Sequence, residues 1–168
     1  MPLTDLMNAP AYDPTRDNRR RDILIGVAVT IVVLGIITFA GYVMGHGWLF
    51  SNLGYEYRVN TFFTAVEDKD YSKAYGIYYN DPNWQQNPTK YSDYPLARFT
   101  EDWTTQSPVQ APITTHHVDI SKTDGTGTFG TGIIVAVRVN GSHKVFMYIN
   151  RKDKTMTWPA PHELEYNP

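Results

Sequence analysis

Cysteine is absent from the 168 residues. That excludes a disulfide framework, a thiolate metal site and a cysteine-linked lipid anchor, and it is compatible with any redox compartment. An excess of one charge is lacking too, since 15 Lys and Arg against 17 Asp and Glu leave a formal net charge of −2. No basic stripe occurs, which argues against nucleic acid as a partner. The histidines have no metal-ligand spacing. His116 and His117 are neighbours whose rings would point to opposite faces of a strand, His143 belongs to a turn, and His162 falls in a proline-rich stretch. No HxxxH or paired-carboxylate spacing marks a helix, so no metal is implied. A phosphate-cradling loop is missing as well: Gly125, Gly127, Gly130 and Gly132 are spaced as turn and bulge positions in strands. No cofactor is implied, and no internal repeat is found. Asn140-Gly141-Ser142 is formally a glycosylation sequon, relevant only in a eukaryotic secretory host.

Charge is missing in a more telling way from Ile23 to Met44, ILIGVAVTIVVLGIITFAGYVM. At about 1.5 Å per residue this run spans roughly 33 Å, enough to cross a bilayer core of about 30 Å. Thr30 and Thr38 lie inside it, and in a helix each hydroxyl can bond its own backbone. Arg16, Arg19, Arg20 and Arg21 crowd the amino side, while the next basic residue is Arg58. Lys/Arg bias predicts a cytoplasmic amino terminus and an extracytoplasmic remainder, as in a single-pass protein of the plasma (inner) membrane. Tyr42, Trp48 and Phe50, with His46 among them, fall where an outer aromatic belt would lie. A cleaved signal peptide fits less well, because its hydrophobic run is normally about 7–15 residues and Thr38-Phe39-Ala40 is a poor cleavage site buried within this one. Arg20-Arg21 resembles a twin-arginine export signal, but the run is too apolar and nothing downstream suggests a cofactor.

Around that segment the chain divides into a disordered tail over 1–22, the membrane helix over 23–44, a glycine-punctuated linker over 45–52 and one small domain over 53–168. Gly41 and Gly45 form a Gly-x-x-x-Gly pair, with Gly26 and Thr30 as a second small pair. Such faces allow helices to associate in lipid, so membrane lipid and either a membrane-protein partner or a second copy are the expected partners.

The domain changes period midway. Tyr55, Val59, Phe62, Phe63 and Val66 make one helical stripe, and Asp70 is placed to cap a second helix that buries Tyr71, Ala74, Tyr75 and Tyr78. Asp81-Pro82 ends that helix. Residues 83–94 read as a loop, and a short helix after Pro95 presents Leu96, Phe99 and Trp103. Alternation then predicts strands over 113–120, 128–139 and 143–151, with Met156 and Trp158 marking a last one. In the first, Val118 and Ile120 share a face with His116. Asp124-Gly125 signals a two-residue hairpin. At Asn140-Gly141 a three-residue loop would pair Val139 with His143 and align Val145, Met147 and Ile149 with the valine row; a two-residue loop would swap the faces. The apolar match favours the longer loop. The expected architecture is α+β: an amino-terminal membrane helix, then about three helices packed on a curved antiparallel sheet of about four strands. Val59, Phe62, Phe63, Tyr75, Phe99, Trp103, Val135, Val137 and Trp158 are the predicted core.

The run Val59-Asn60-Thr61-Phe62-Phe63-Thr64-Ala65-Val66, followed by Asp70-Tyr71-Ser72-Lys73-Ala74-Tyr75, resembles the opening of nuclear-transport-factor-two-like domains. The resemblance covers roughly residues 53–166 and implies a cystatin-like cone-shaped α+β fold. Members include membrane-anchored assembly subunits and soluble isomerases and dehydratases, so fold alone does not select a function.

A cone of this kind could hold a ligand against Tyr75, Tyr78, Trp103, His116 and Trp158, although aromatics in a small domain usually form core. His116 could serve as a base or as a partnered core histidine, and His117 with Asp119 could form a dyad or a solvated strand face. The reading preferred on sequence is a membrane-tethered accessory, assembly or ligand-binding protein with no catalytic residues. The alternative is a cone-pocket isomerase or dehydratase using His and Asp in the sheet.

Overall fold

The computed structural model describes residues 14–124 and 131–167. It divides into a first unit ending at Thr38 and a second beginning at Phe39. Helix α1, Pro14–Val43, supplies nearly all of what is described of the first. It is long and apolar enough to cross a membrane. Its large apolar side chains, from Ile23 to Val33 and Leu34, are exposed. The Thr30 hydroxyl donates to the Gly26 carbonyl at 2.8 Å and that of Thr38 to Leu34 at 2.7 Å, which satisfies both donors within the helix. Residues 14–22, expected to be part of a disordered tail, are helical instead. Proline is preset for the first helical turn, and arginine is a strong helix former, so a polar stretch can extend the apolar helix backward. Residues 1–13 of that tail lie outside the described residues.

In the second unit, α2 (Leu53–Glu67) buries Val59, Phe62, Phe63, Ala65 and Val66 along the expected stripe. Helix α3 (Tyr71–Tyr78) starts where Asp70 accepts from the Lys73 amide at 3.0 Å, a side-chain cap on an orphan N–H. Helix α4 (Leu96–Asp102) follows Pro95 and buries Phe99. The intervening loop carries two short 3-10 turns, Trp84–Gln86 and Pro88–Tyr91, which bring Tyr91 into the core.

Strands β1 (His116–Thr123), β2 (Gly132–Val139), β3 (His143–Asn150) and β4 (Met156–Thr157) form a curved, unclosed antiparallel sheet in sequential order. Val139 pairs with His143, Val137 with Val145, Val135 with Met147 and Ile133 with Ile149, the register of the three-residue loop. Asn140 and Gly141 both take left-handed backbone angles there, and Asn140 reaches across to the Thr114 amide at 2.9 Å and the Pro112 carbonyl at 2.8 Å.

Three strand expectations need correction. Thr123 pairs with Ile133 and the Asp124 amide donates to Gly132 at 3.0 Å, so Asp124-Gly125 is no two-residue hairpin; residues 125–130, in the connection, lie outside the described residues. Strand β4 stops at Thr157, leaving Trp158 half-buried just beyond it and 6.0 Å from the Trp103 ring. Most consequentially, Val118 pairs with Val137 and Ile120 with Ala136, so Asp119 is an extra residue in a bulge. One inserted residue reverses the faces beyond it. Val118 therefore packs with the helix-covered core while Ile120 goes to the other face and Ser121 takes the inner one.

The sheet thus has two apolar faces. The inner one, with Val135, Val137, Val139, Val145, Met147 and Ile149, packs under the helices. The outer one, Ile134, Ala136 and Phe146, lies beneath Leu164, with Ala160 and Tyr166 alongside.

Candidate functional site

The aromatic residues proposed for a ligand cavity fill the core. Trp103 stands edge-on to Phe62 at 4.8 Å and Phe63 at 5.8 Å, and Tyr75 meets Phe99 at 5.2 Å. Tyr75, Trp103 and Tyr78 are buried. Burial, reinforced by neighbouring phenols, pushes the Tyr75 hydroxyl up to about 12 and that of Tyr78 likewise to about 12. Tyr75 donates to the Tyr94 carbonyl at 2.7 Å. His116 is pinned at the edge of this core: Nδ1 lies 2.7 Å from Glu67, Nε2 lies 3.0 Å from Asn60, and its ring stacks on Phe63. Tyr75, Tyr78, Trp103, His116 and Trp158 line none of three surface grooves of about 540, 1200 and 440 Å³. Tyr75, Tyr78 and Trp103 are packed within the core beneath the helices.

His117 and Asp119 do meet, at 2.8 Å, and the bulge adds further partners. Arg138 Nε donates to both carboxylate oxygens of Asp119 at 2.8 Å, and the Tyr166 hydroxyl donates to one at 2.7 Å. Burial would raise the Asp119 carboxyl, but the donated hydrogen bonds from Arg138, Tyr166 and His117 outweigh it and hold the group below its ordinary range. Lys144 donates to the Tyr166 carbonyl at 2.9 Å and sits 4.2 Å from that ring's centre. The cluster therefore fastens the segment around Tyr166 to the outer sheet face. A carboxylate already saturated by donors is poorly placed to accept a substrate proton.

A third constellation lies at the exit of α1, where a loose linker was expected. Gly45 and Gly47 have φ of +78° and +81°, left-handed values that turn the chain sharply. The Ser121 amide donates to Gly45 O at 2.7 Å, and Asn52 is only 1% exposed. His46 Nδ1 lies 2.9 Å from Glu56, whose carboxylate also accepts from the Ser121 hydroxyl. Residues 45–52 are thus locked to α2 and β1. Nothing in the hydropathy pattern marked Glu56 or Ser121. The spacing of Glu56 within the stripe that includes Tyr55 and Val59 was the available clue.

The same turn covers Gly41 and Gly45 of the expected helix-association pair. A Cβ on Gly41 would stand 2.7 Å from Gly47 O and 2.9 Å from the Phe50 amide, and one on Gly45 would meet Ile120 at 2.9 Å. Gly41 is covered by its own chain, and Gly45 lies beyond the helix. Phe50 packs on His46 within this turn, leaving Tyr42 and Trp48 as the exposed rings. Nothing crowds Gly26. Arg19, Arg20 and Arg21 are exposed early in α1, while the side chain of Arg16 lies outside the described residues.

A groove of about 1200 Å³ opens beside this junction, running from Tyr42, Met44 and Trp48 to Ile120, Lys122 and Arg151. A smaller one of about 540 Å³ lies between α2 and α3 near Arg58, Lys73 and Trp84. Burial lowers the Arg58 guanidinium from its ordinary value; its Nη1 donates to Asn80 at 2.7 Å and Nη2 to the Ile77 carbonyl. Among the described residues no three His, Asp and Glu side chains converge as a metal site. Compared with known protein families, characterised proteins and solved structures, the chain matches none.

Proposed function

We propose that this chain is a single-pass, membrane-tethered accessory or assembly protein. Its α+β domain, of the nuclear-transport-factor-two-like kind, stands outside the cytoplasm of the plasma membrane and binds a partner rather than catalysing a reaction. The observation that carries this reading is α1, whose exposed apolar flank leads directly into a folded domain. The filled cone interior supports binding over catalysis, because an isomerase or dehydratase of this architecture needs an open mouth with a base inside. The polar residues nearest that requirement, His116 and Asp119, are engaged by Glu67 and Arg138.

Gentle detergent extraction from the native membrane tests the proposal. The expected result is a stoichiometric complex, with another membrane protein or a second copy, that survives His117→Ala. A lone monomer that turns over a small molecule, with turnover abolished by His117→Ala in a folded domain, would establish the enzyme reading instead.

A further inference from the structure

We infer that the groove at the exit of α1 is a binding site for an anionic phospholipid, which lays an acyl chain against Tyr42, Met44 and Trp48 and its phosphate against Lys122 and Arg151. The inference rests on α1 spanning the bilayer. The groove's apolar wall is the last turn of α1, Tyr42 and Val43, continued by Met44 and Trp48. Tyr42, Met44 and Trp48 are 64%, 58% and 68% exposed, although each borders folded protein. Its other wall carries two cations, Lys122 and Arg151, and among the described residues none that lines it is acidic. Glu56, which accepts from the Ser121 hydroxyl of the lining, is turned to His46. Arg151 reaches Thr123 at 3.4 Å, which holds its guanidinium along the strand.

Depth supplies an independent argument. Beyond α1, the exposed large apolar side chains among the described residues are Met44, Trp48, Leu49, Leu53 and Tyr57, and none follows Tyr57. Apolar exposure that stops so near the helix exit marks the level of the bilayer surface, where aromatic and apolar side chains meet headgroups. Lys122 and Arg151 share the groove with Trp48 and so face the phosphate layer. A groove larger than the about 300–1,000 Å³ of small-molecule pockets, apolar at one end and cationic at the other, suits a long amphiphile.

The test uses the full chain in phosphatidylcholine vesicles containing a small, equal share of either bromine-labelled phosphatidylglycerol or bromine-labelled phosphatidylcholine. Quenching at Trp48 is read as the difference between wild type and Trp48→Phe. One basic residue near a surface enriches an anionic lipid about fivefold, so phosphatidylglycerol should quench several-fold more strongly. Lys122→Gln should reduce that preference, and Lys122→Glu with Arg151→Glu should abolish it in protein with unchanged circular dichroism. Equal quenching by both lipids overturns the site. Loss of the preference on adding soluble glycerol phosphate shows a phosphate site without a lipid and overturns the lipid assignment. A tryptophan at Val33→Trp separates the two readings. If it is quenched while Trp48 is not, the groove proposal fails and the span stands; if neither is quenched, both fail.

Discussion

Asp119 accepts from Arg138, Tyr166 and His117 because the bulge in β1 puts its carboxylate beside all three. Its carboxyl is held below the ordinary range, so the ionised form is favoured in the folded chain. The stabilisation is therefore complete above the unfolded value of about 3.9 and is lost as pH falls through the folded value. Asp119→Asn should lower the thermal midpoint at pH 7, and the gap to wild type should close below about pH 4. A gap that persists unchanged at pH 2 would show that the effect is steric, not one of charge. His46 with Glu56 at the exit of α1, and His116 with Glu67 between β1 and α2, are further close His–carboxylate contacts.

Among the elements, α2 and α3 were legible because three- and four-residue apolar spacing survives in any soluble context, and Asp70 announces its own cap. The β2–β3 register was legible because only one loop length aligned two apolar rows. The bulge was not: His116, Val118 and Ile120 alternate as in a regular strand, and an inserted residue leaves no trace in that alternation. The packed linker was hidden for a related reason, since glycines that form tight left-handed turns look the same as glycines that loosen a hinge. Aromatic composition does not distinguish the lining of a cavity from core, and Tyr75, Tyr78 and Trp103 are buried. The sequence places the start of the small domain at residue 53, after a linker. The contacts of Gly45, His46 and Asn52 place the better boundary earlier. A fragment beginning at Met44 should exceed one beginning at Leu53 by about 1–3 kcal/mol, the cost of leaving buried polar groups unpaired. Equal midpoints in urea would show that the junction adds nothing to the domain.

For the molecule as a whole, the absence of cysteine makes topology directly measurable. A single cysteine at Asn60 should react with an impermeant maleimide on intact cells or right-side-out vesicles, and one at Thr15 should react only after lysis. Replacing Arg19, Arg20 and Arg21 should mix the two patterns, because those residues supply most of the bias. Protection of Asn60→Cys in intact cells would reverse the orientation.

The cover of the outer sheet face comes from chain that follows the sheet in synthesis. Strands β2 and β3 can pair as soon as both have emerged, yet Ile134, Ala136 and Phe146 stay open until Leu164 and Tyr166 arrive. During that interval a nascent chain carries one finished and one naked surface, the kind that sticks to other nascent chains. The outer face is thus closed only by residues 160–166, and truncation just after Trp158 would leave a sheet able to form with that face bare.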